Sequence, residues 1–457
     1  MPKIEHVVVL MLENRSFDCM LGYLYPKSEA FDGLDGSESN PWHRPDGSVE
    51  EVPVWNSAAI RPEAACIPNR ELGELFADIS MQLYGLEPAP DGVPSMRGFV
   101  DNFMRQPPEN GRLPDPRAVM HCFKPAQVPV LSHLATAFGV SDRWHASAPC
   151  ETWPNRYFAH TGTGGGYVDN EFLPLPRFSL RPLPTIYRRL EEYGCTWRIY
   201  FHDLPQAATL ADLWLKIPRH FSLFEDEFAE DAGSGRLPNY SFIEPRYFAS
   251  LWSHKVPNDQ HPPHNLLYGE QLIASVYNAI RNAPTWPRTL LIVVYDEHGG
   301  CFDHVPPPPA VPPGGPYPAG FEFDRYGVRV PAVLISPYVA PGSTIRPPPK
   351  PPGRPNFPFD HASIIATLQK LFELGPPMTP RVAAAPDLLS ALPLEEPEND
   401  GPEHLATHPR QPSRREAWAH VRRPRNRLQR SMRNPMWALP GTAARGIAHL
   451  KRLRRRR

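Results

Sequence analysis

Residues 4–12 form a short apolar run rich in valine, the pattern of a strand buried on both faces. Residues 289–295, Thr289 to Tyr295, repeat it, and residues 330–335 do so more weakly because Pro331 interrupts. Between and after these runs the period changes. Leu267, Leu272, Val276 and Ile280 recur at near-helical spacing over 266–282, and Ile364, Ile365, Leu368, Leu371 and Phe372 do so over 361–374. Continuous apolar strands alternating with amphipathic helices predict a mostly parallel sheet covered on both faces. Residues 396–457 lack the alternation. The expected organisation is therefore a catalytic domain over 1–395 and an appended Pro/Arg-rich basic tail over 396–457, with no internal repeat.

Composition narrows the class. Of 457 residues, 41% are hydrophobic and 21% charged, values of an ordinary soluble globular chain, which excludes wholesale disorder. The 61 prolines include runs such as 306–309 and 347–349; lacking an N–H, these must lie in loops. None of the six cysteines forms a C-x-x-C pair, the spacing of a structural zinc site. The apolar run after Met1-Pro2-Lys3 is interrupted by Glu13 and is too short for a secretory leader or a membrane span, so the expectation is a cytoplasmic protein or one exported by a leaderless route. Charge is uneven. From Arg410 onward stand 16 Lys/Arg and one acid, so the tail carries about +15 and the remainder about −16. Such a run reads as a solvated tail, or as a surface for anionic membrane; no sequence-specific nucleic-acid partner is expected.

Chemistry gathers where the strands end. The first strand runs into Glu13-Asn14-Arg15-Ser16-Phe17-Asp18, and the second into Asp296-Glu297-His298-Gly299-Gly300. Polar loops that cap the next helix look like this. So do hard-oxygen ligands for a divalent cation, and two adjacent carboxylates at a strand end favour a cation between them. Asp303-His304 follows, though a turn before Val305-Pro306 explains that pair. Thr152, in Glu151-Thr152-Trp153-Pro154-Asn155-Arg156, reads as a helix N-cap with Pro154 in the first turn; a hydroxyl there also enjoys positive potential and N–H donors for a phosphate. His202, His261 and His361 are each explicable as structural residues, His361 as ordinary helix-start chemistry.

Taken in order, the segments 13–18, 152–156, 240–247 (Tyr240-Ser241-Phe242-Ile243-Glu244-Pro245-Arg246-Tyr247), 261–263 and 295–300 resemble the phosphoesterase family, which contains phosphatidylcholine-preferring and non-specific phospholipases C and related acid phosphatases. The similarity spans roughly residues 4–375. It implies an alkaline-phosphatase-like three-layer α/β/α sandwich. It also implies a divalent cation (Ca²⁺, Mg²⁺ or Mn²⁺) on Glu13, Asn14, Asp296 and Glu297, a nucleophile at Thr152, and His202 and His261 around the phosphate or the leaving oxygen. Relatives often carry a further histidine where this chain has Met81, which leaves headgroup preference open. The expected reaction is metal-dependent cleavage of a phospholipid to diacylglycerol and a phospho-headgroup through a phosphothreonine. The alternatives are a soluble acid phosphatase for small monoesters, and a non-catalytic binder of anionic membrane or nucleic acid.

Overall fold

The computed structural model describes residues 3–57, 64–87, 92–109, 113–171, 183–353, 355–406, 411–433 and 441–449. Its strands are β1 (His6–Leu12), β2 (Ser39–His43), β3 (Val49–Pro53), β4 (Gly139–Val140), β5 (Trp197–Phe201), β6 (Phe221–Leu223), β7 (Tyr240–Glu244), β8 (Thr289–Tyr295), β9 (Ala332–Ile335) and β10 (Ser343–Thr344). β2 and β3 make a separate antiparallel hairpin; the other eight form one sheet in the order β10-β4-β9-β8-β1-β7-β5-β6. β1 is central, parallel to β8 on one side and β7 on the other. Only β9 runs against its neighbours, β8 and β4. It begins just after Pro331, which has no N–H for a ladder.

Every residue of β8, and of β1 from Val7 onward, is buried, so helices must cover both faces. Leu266–Arg281 packs with Pro129–Ala137, and Thr152–Thr161 packs with Ala362–Leu371. The result is the expected three-layer α/β/α architecture on a mostly parallel sheet. Leu266–Arg281 starts where Asn265 accepts a hydrogen bond from the Leu267 N–H at 3.0 Å.

The chain beyond 396 is built onto this body wherever it is described. Asn399 donates to the carbonyls of Ala137 and Val339, and Leu405 is buried. Helices Arg414–Arg422 and Arg427–Met432 follow, then a helical stretch over 441–449. Ala417, Leu428, Met432, Ala444 and Ala448 are buried. Residues 434–440 and 450–457, with Trp437, Leu439, Leu450 and the terminal basic run of the tail, lie outside the described residues.

Candidate active site

Because β1 and β8 are parallel neighbours, their carboxyl ends deliver 13–18 and 296–304 to the same edge, tied by Asp296 N–H to Leu12 O at 3.2 Å. Asn14 adopts a left-handed conformation (φ 52°), which turns the chain sharply out of β1. Its N–H then reaches Asp296 Oδ1 at 3.0 Å and its Nδ2 donates to Glu297 Oε1 at 2.6 Å. Gly299 (φ 59°) makes this approach feasible, since a Cβ there would stand 2.4 Å from the Asn14 carbonyl oxygen.

Thr152 enters from the start of its helix. Glu151 takes the N-cap position and Thr152 is the first helical residue, so the helix begins one residue earlier than the sequence suggested. The Thr152 hydroxyl lies 3.5 Å from Asn14 Oδ1. One turn on, Arg156 donates to Glu13 Oε1 (2.6 Å) and Asp296 Oδ2 (3.0 Å), and to the carbonyls of Met11 and Leu12. Gln206 Nε2 joins Arg156 on Glu13 Oε1 at 2.7 Å.

Glu13, Asp296 and Glu297 are all buried, and burial is the main force on their protons. It lifts Glu13 well above the usual carboxylate range, with Arg156 opposing and Asp296 reinforcing. Glu297 is raised by burial, then by Glu74 and Asp296; Asp296 is raised by burial against the pull of Arg156. Fully ionised, the three carboxylates would outnumber the one guanidinium by two negative charges, and Glu13 Oε2 is buried with no hydrogen-bond partner. Hard oxygens with that excess fit a divalent cation.

The histidines divide. His261 belongs to the site: Glu13 N–H donates to Asp259 O at 2.9 Å, and His261 Nε2 lies 3.1 Å from Glu74 Oε1. Burial alone would lower its pKa, but Glu74 first, then Asp259 and Glu71, carry it well above the ordinary value. His202 is not brought to this cluster. Its Nδ1 meets Glu244 O at 2.8 Å, its ring stacks on Phe224, and it lines a separate cavity of about 560 Å³ with Arg246, Arg445 and His449. Burial and Arg246 lower its pKa to about 3. His361 does more than start a helix, because its Nε2 meets the Asp296 carbonyl at 2.6 Å. Met81 packs its sulfur 3.9 Å from Asn102 Nδ2, while neighbouring Gln82 meets His298 at 2.8 Å. Asp303 and His304 join a separate buried cluster in which Arg329 bridges Asp18 and Asp303, bracing the 13–18 loop from below.

Several members went unassigned at the level of sequence. Arg156 had a signal, standing four residues after Thr152 and so on the same helix face. Gln206, Glu74 and Asp259 had none, because they arrive from a short 3-10 turn and two loops whose approach is set only by packing.

The sequence model of the Phosphoesterase family matches residues 4–375. Non-specific phospholipase C3 of Arabidopsis thaliana is 37% identical over 420 residues, covering 89% of this chain and 77% of its own. Non-specific phospholipase C1 of the same plant is 38% identical over 380 residues, covering 81% and 67%. Phospholipase C A of Mycobacterium tuberculosis (strain ATCC 25618 / H37Rv) is 28% identical over 458 residues, covering 89% and 80%. A solved structure of an alkaline phosphatase superfamily protein from Vibrio parahaemolyticus aligns over 57% of this chain and 63% of its own, at 13% identity and a TM-score of 0.32, too distant to carry an argument.

Proposed function

The chain belongs to the phosphoesterase family and is a phosphoric ester hydrolase; on that premise we propose that it is a phospholipase C acting on phosphatidylcholine-type lipids through a phosphothreonine at Thr152. The observation that carries the reading is the Thr152 hydroxyl, 3.5 Å from Asn14 Oδ1 at the centre of the buried carboxylate set. Glu13, Asn14, Asp296 and Glu297 would hold a divalent cation (Ca²⁺, Mg²⁺ or Mn²⁺), which when bound lowers the pKa of a nearby hydroxyl and neutralises phosphate charge. Thr152 Oγ1 releases its proton to solvent and forms a bond to phosphorus as the bond between phosphorus and the glycerol oxygen breaks. His261 supplies the proton that the departing alkoxide needs, releasing diacylglycerol. Water then attacks the phosphothreonine and frees the phospho-headgroup, returning the hydroxyl to Thr152. Arg156 holds Glu13 and Asp296 in place, and the positive end of the Thr152–Thr161 helix favours the phosphate. His202 takes no step in this scheme.

An anionic lipid surface is the partner we assign to the tail. Trp418 and Val421 are exposed on the Arg414–Arg422 helix among exposed arginines, the composition of an interfacial helix. Each such arginine contributes roughly 1 kcal/mol near an anionic leaflet.

Thr152→Ala should lower turnover by about six orders of magnitude with its melting temperature intact, and Thr152→Ser should retain measurable activity. The assay compares phosphatidylcholine vesicles, with and without anionic lipid, against p-nitrophenyl phosphate. An alanine variant keeping a tenth of the wild-type rate refutes the nucleophile. Turnover of the soluble monoester alone identifies a phosphatase, and indifference to anionic lipid removes the surface partner.

A further inference from the structure

Around His261 stands a group of carboxylates to which the reaction scheme gives no contact with the substrate. Donor atoms of Glu71, Glu74 and His261 lie within 4.8 Å of one another, and Glu151 directly precedes Thr152. Glu151 Oε2 accepts the Asn170 N–H at 2.6 Å. Glu151 Oε1, by contrast, is buried and accepts no hydrogen bond. Glu74 Oε1 makes its contact with His261.

A second cation reaches this group from the far end of the chain. Arg427 Nε lies 3.4 Å from Glu151 Oε1, its backbone N–H donates to Glu71 Oε1, and Arg430 Nη2 lies 3.8 Å from Glu71 Oε2. The segment is seated firmly on the body. Gln429 Nε2 donates to Tyr247 O at 2.6 Å, Arg423 Nη1 donates to Pro263 O at 3.1 Å, and Leu428 and Met432 enter the core. Thr152 itself has no exposed surface in this arrangement.

We propose that Glu71, Glu74 and Glu151 form a headgroup subsite for an ammonium cation, and that Arg427 occupies this subsite in the free protein as a stand-in for the substrate's own charge. This rests on the phospholipase reading given above. In a choline or ethanolamine ester only two carbons separate the phosphate oxygen from the nitrogen. A headgroup whose phosphorus meets Thr152 therefore keeps its cation close to that hydroxyl, and Glu151 is the residue next to it in the chain. A neutral or anionic headgroup that displaced Arg427 would leave the buried Glu151 carboxylate without its counter-charge, which is the costly way to break a buried ion pair. An ammonium group replaces the guanidinium charge for charge.

Two p-nitrophenyl phosphodiesters that differ only in carrying choline or its uncharged carbon isostere, 3,3-dimethylbutanol, read the subsite. The full chain should show kcat/KM at least about tenfold higher for the choline ester. Arg427→Gln should raise kcat/KM for that ester, and Glu71→Gln should bring the ratio towards one. Hydrogen exchange reads the same competition without turnover. Choline chloride should speed amide exchange across 411–433 relative to equal sodium chloride in the wild type, and not in Glu71→Gln. A ratio near one with no choline effect on exchange overturns the subsite, even if phosphatidylcholine is cleaved. Cleavage of monoesters alone, with the choline effect on exchange present, removes the phospholipase reading and retains the subsite. A clear ester preference with exchange unmoved by choline overturns the stand-in role of Arg427.

Discussion

Arg156→Met tests whether the carboxylate set is held by one guanidinium. Arg156 is 1% exposed and bonded to two carboxylates, at 2.6 and 3.0 Å, and to the two carbonyls that end β1. Methionine keeps much of the volume and removes the charge, so Glu13 and Asp296 stay buried without their partner. Breaking a buried pair from one side costs about 3–5 kcal/mol. With an unfolding entropy of roughly 2.1 cal/mol/K per residue, a chain of this length loses about 1 kcal/mol per degree at its midpoint, so the expected fall in Tm is about 3–5 °C. A divalent cation binding the native site should recover part of the loss, since a ligand at a hundred times its Kd adds about 2.7 kcal/mol. Thermal and urea melts of wild type and variant, in chelator and in excess Mg²⁺ or Mn²⁺, give both quantities. The variant has three uncompensated carboxylates, so metal should narrow its gap to wild type. A variant within about 1 kcal/mol of wild type in chelator, or a gap that metal leaves unchanged, refutes the reasoning.

Gly299→Ala should displace Asn14, because its Cβ would stand 2.4 Å from the Asn14 carbonyl oxygen and its φ of 59° disfavours alanine; metal affinity by calorimetry should fall with activity, and unchanged affinity would sink the point. Glu270 is buried, accepts the Val130 and Leu131 N–H groups, and is lifted to about 7, chiefly by burial. The native state therefore keeps a proton that the unfolded chain has already lost, so this stabilisation is full below about pH 4.5 and disappears as pH rises through about 7, roughly 3 kcal/mol in all. Glu270→Gln cannot titrate, so the stability of wild type relative to it should decline between pH 5 and 8 in urea melts, and parallel pH profiles would count against the buried proton.

The sequence by itself determined the central strands, the helices covering them and the loops that carry Glu13, Asn14, Asp296 and Glu297. A strand buried on both faces leaves no polar position to interrupt its apolar run, and in a parallel sheet chemistry collects just past such runs. β5 and β7 stayed hidden because Tyr, Arg and Ser break their apolar pattern, although most of those positions are buried. Only the tertiary structure decided that Arg156 neutralises Glu13 and Asp296, that Glu74 faces His261, and that His202 turns to another cavity. It also decided that Arg427 and Arg430 of the basic tail, which reads as solvated, lie against Glu151 and Glu71. Hydrophobic periodicity is a local property that each segment carries in its own residues. The meeting of charges from distant loops depends on how the finished layers pack, and charge alone leaves no periodic mark along the chain.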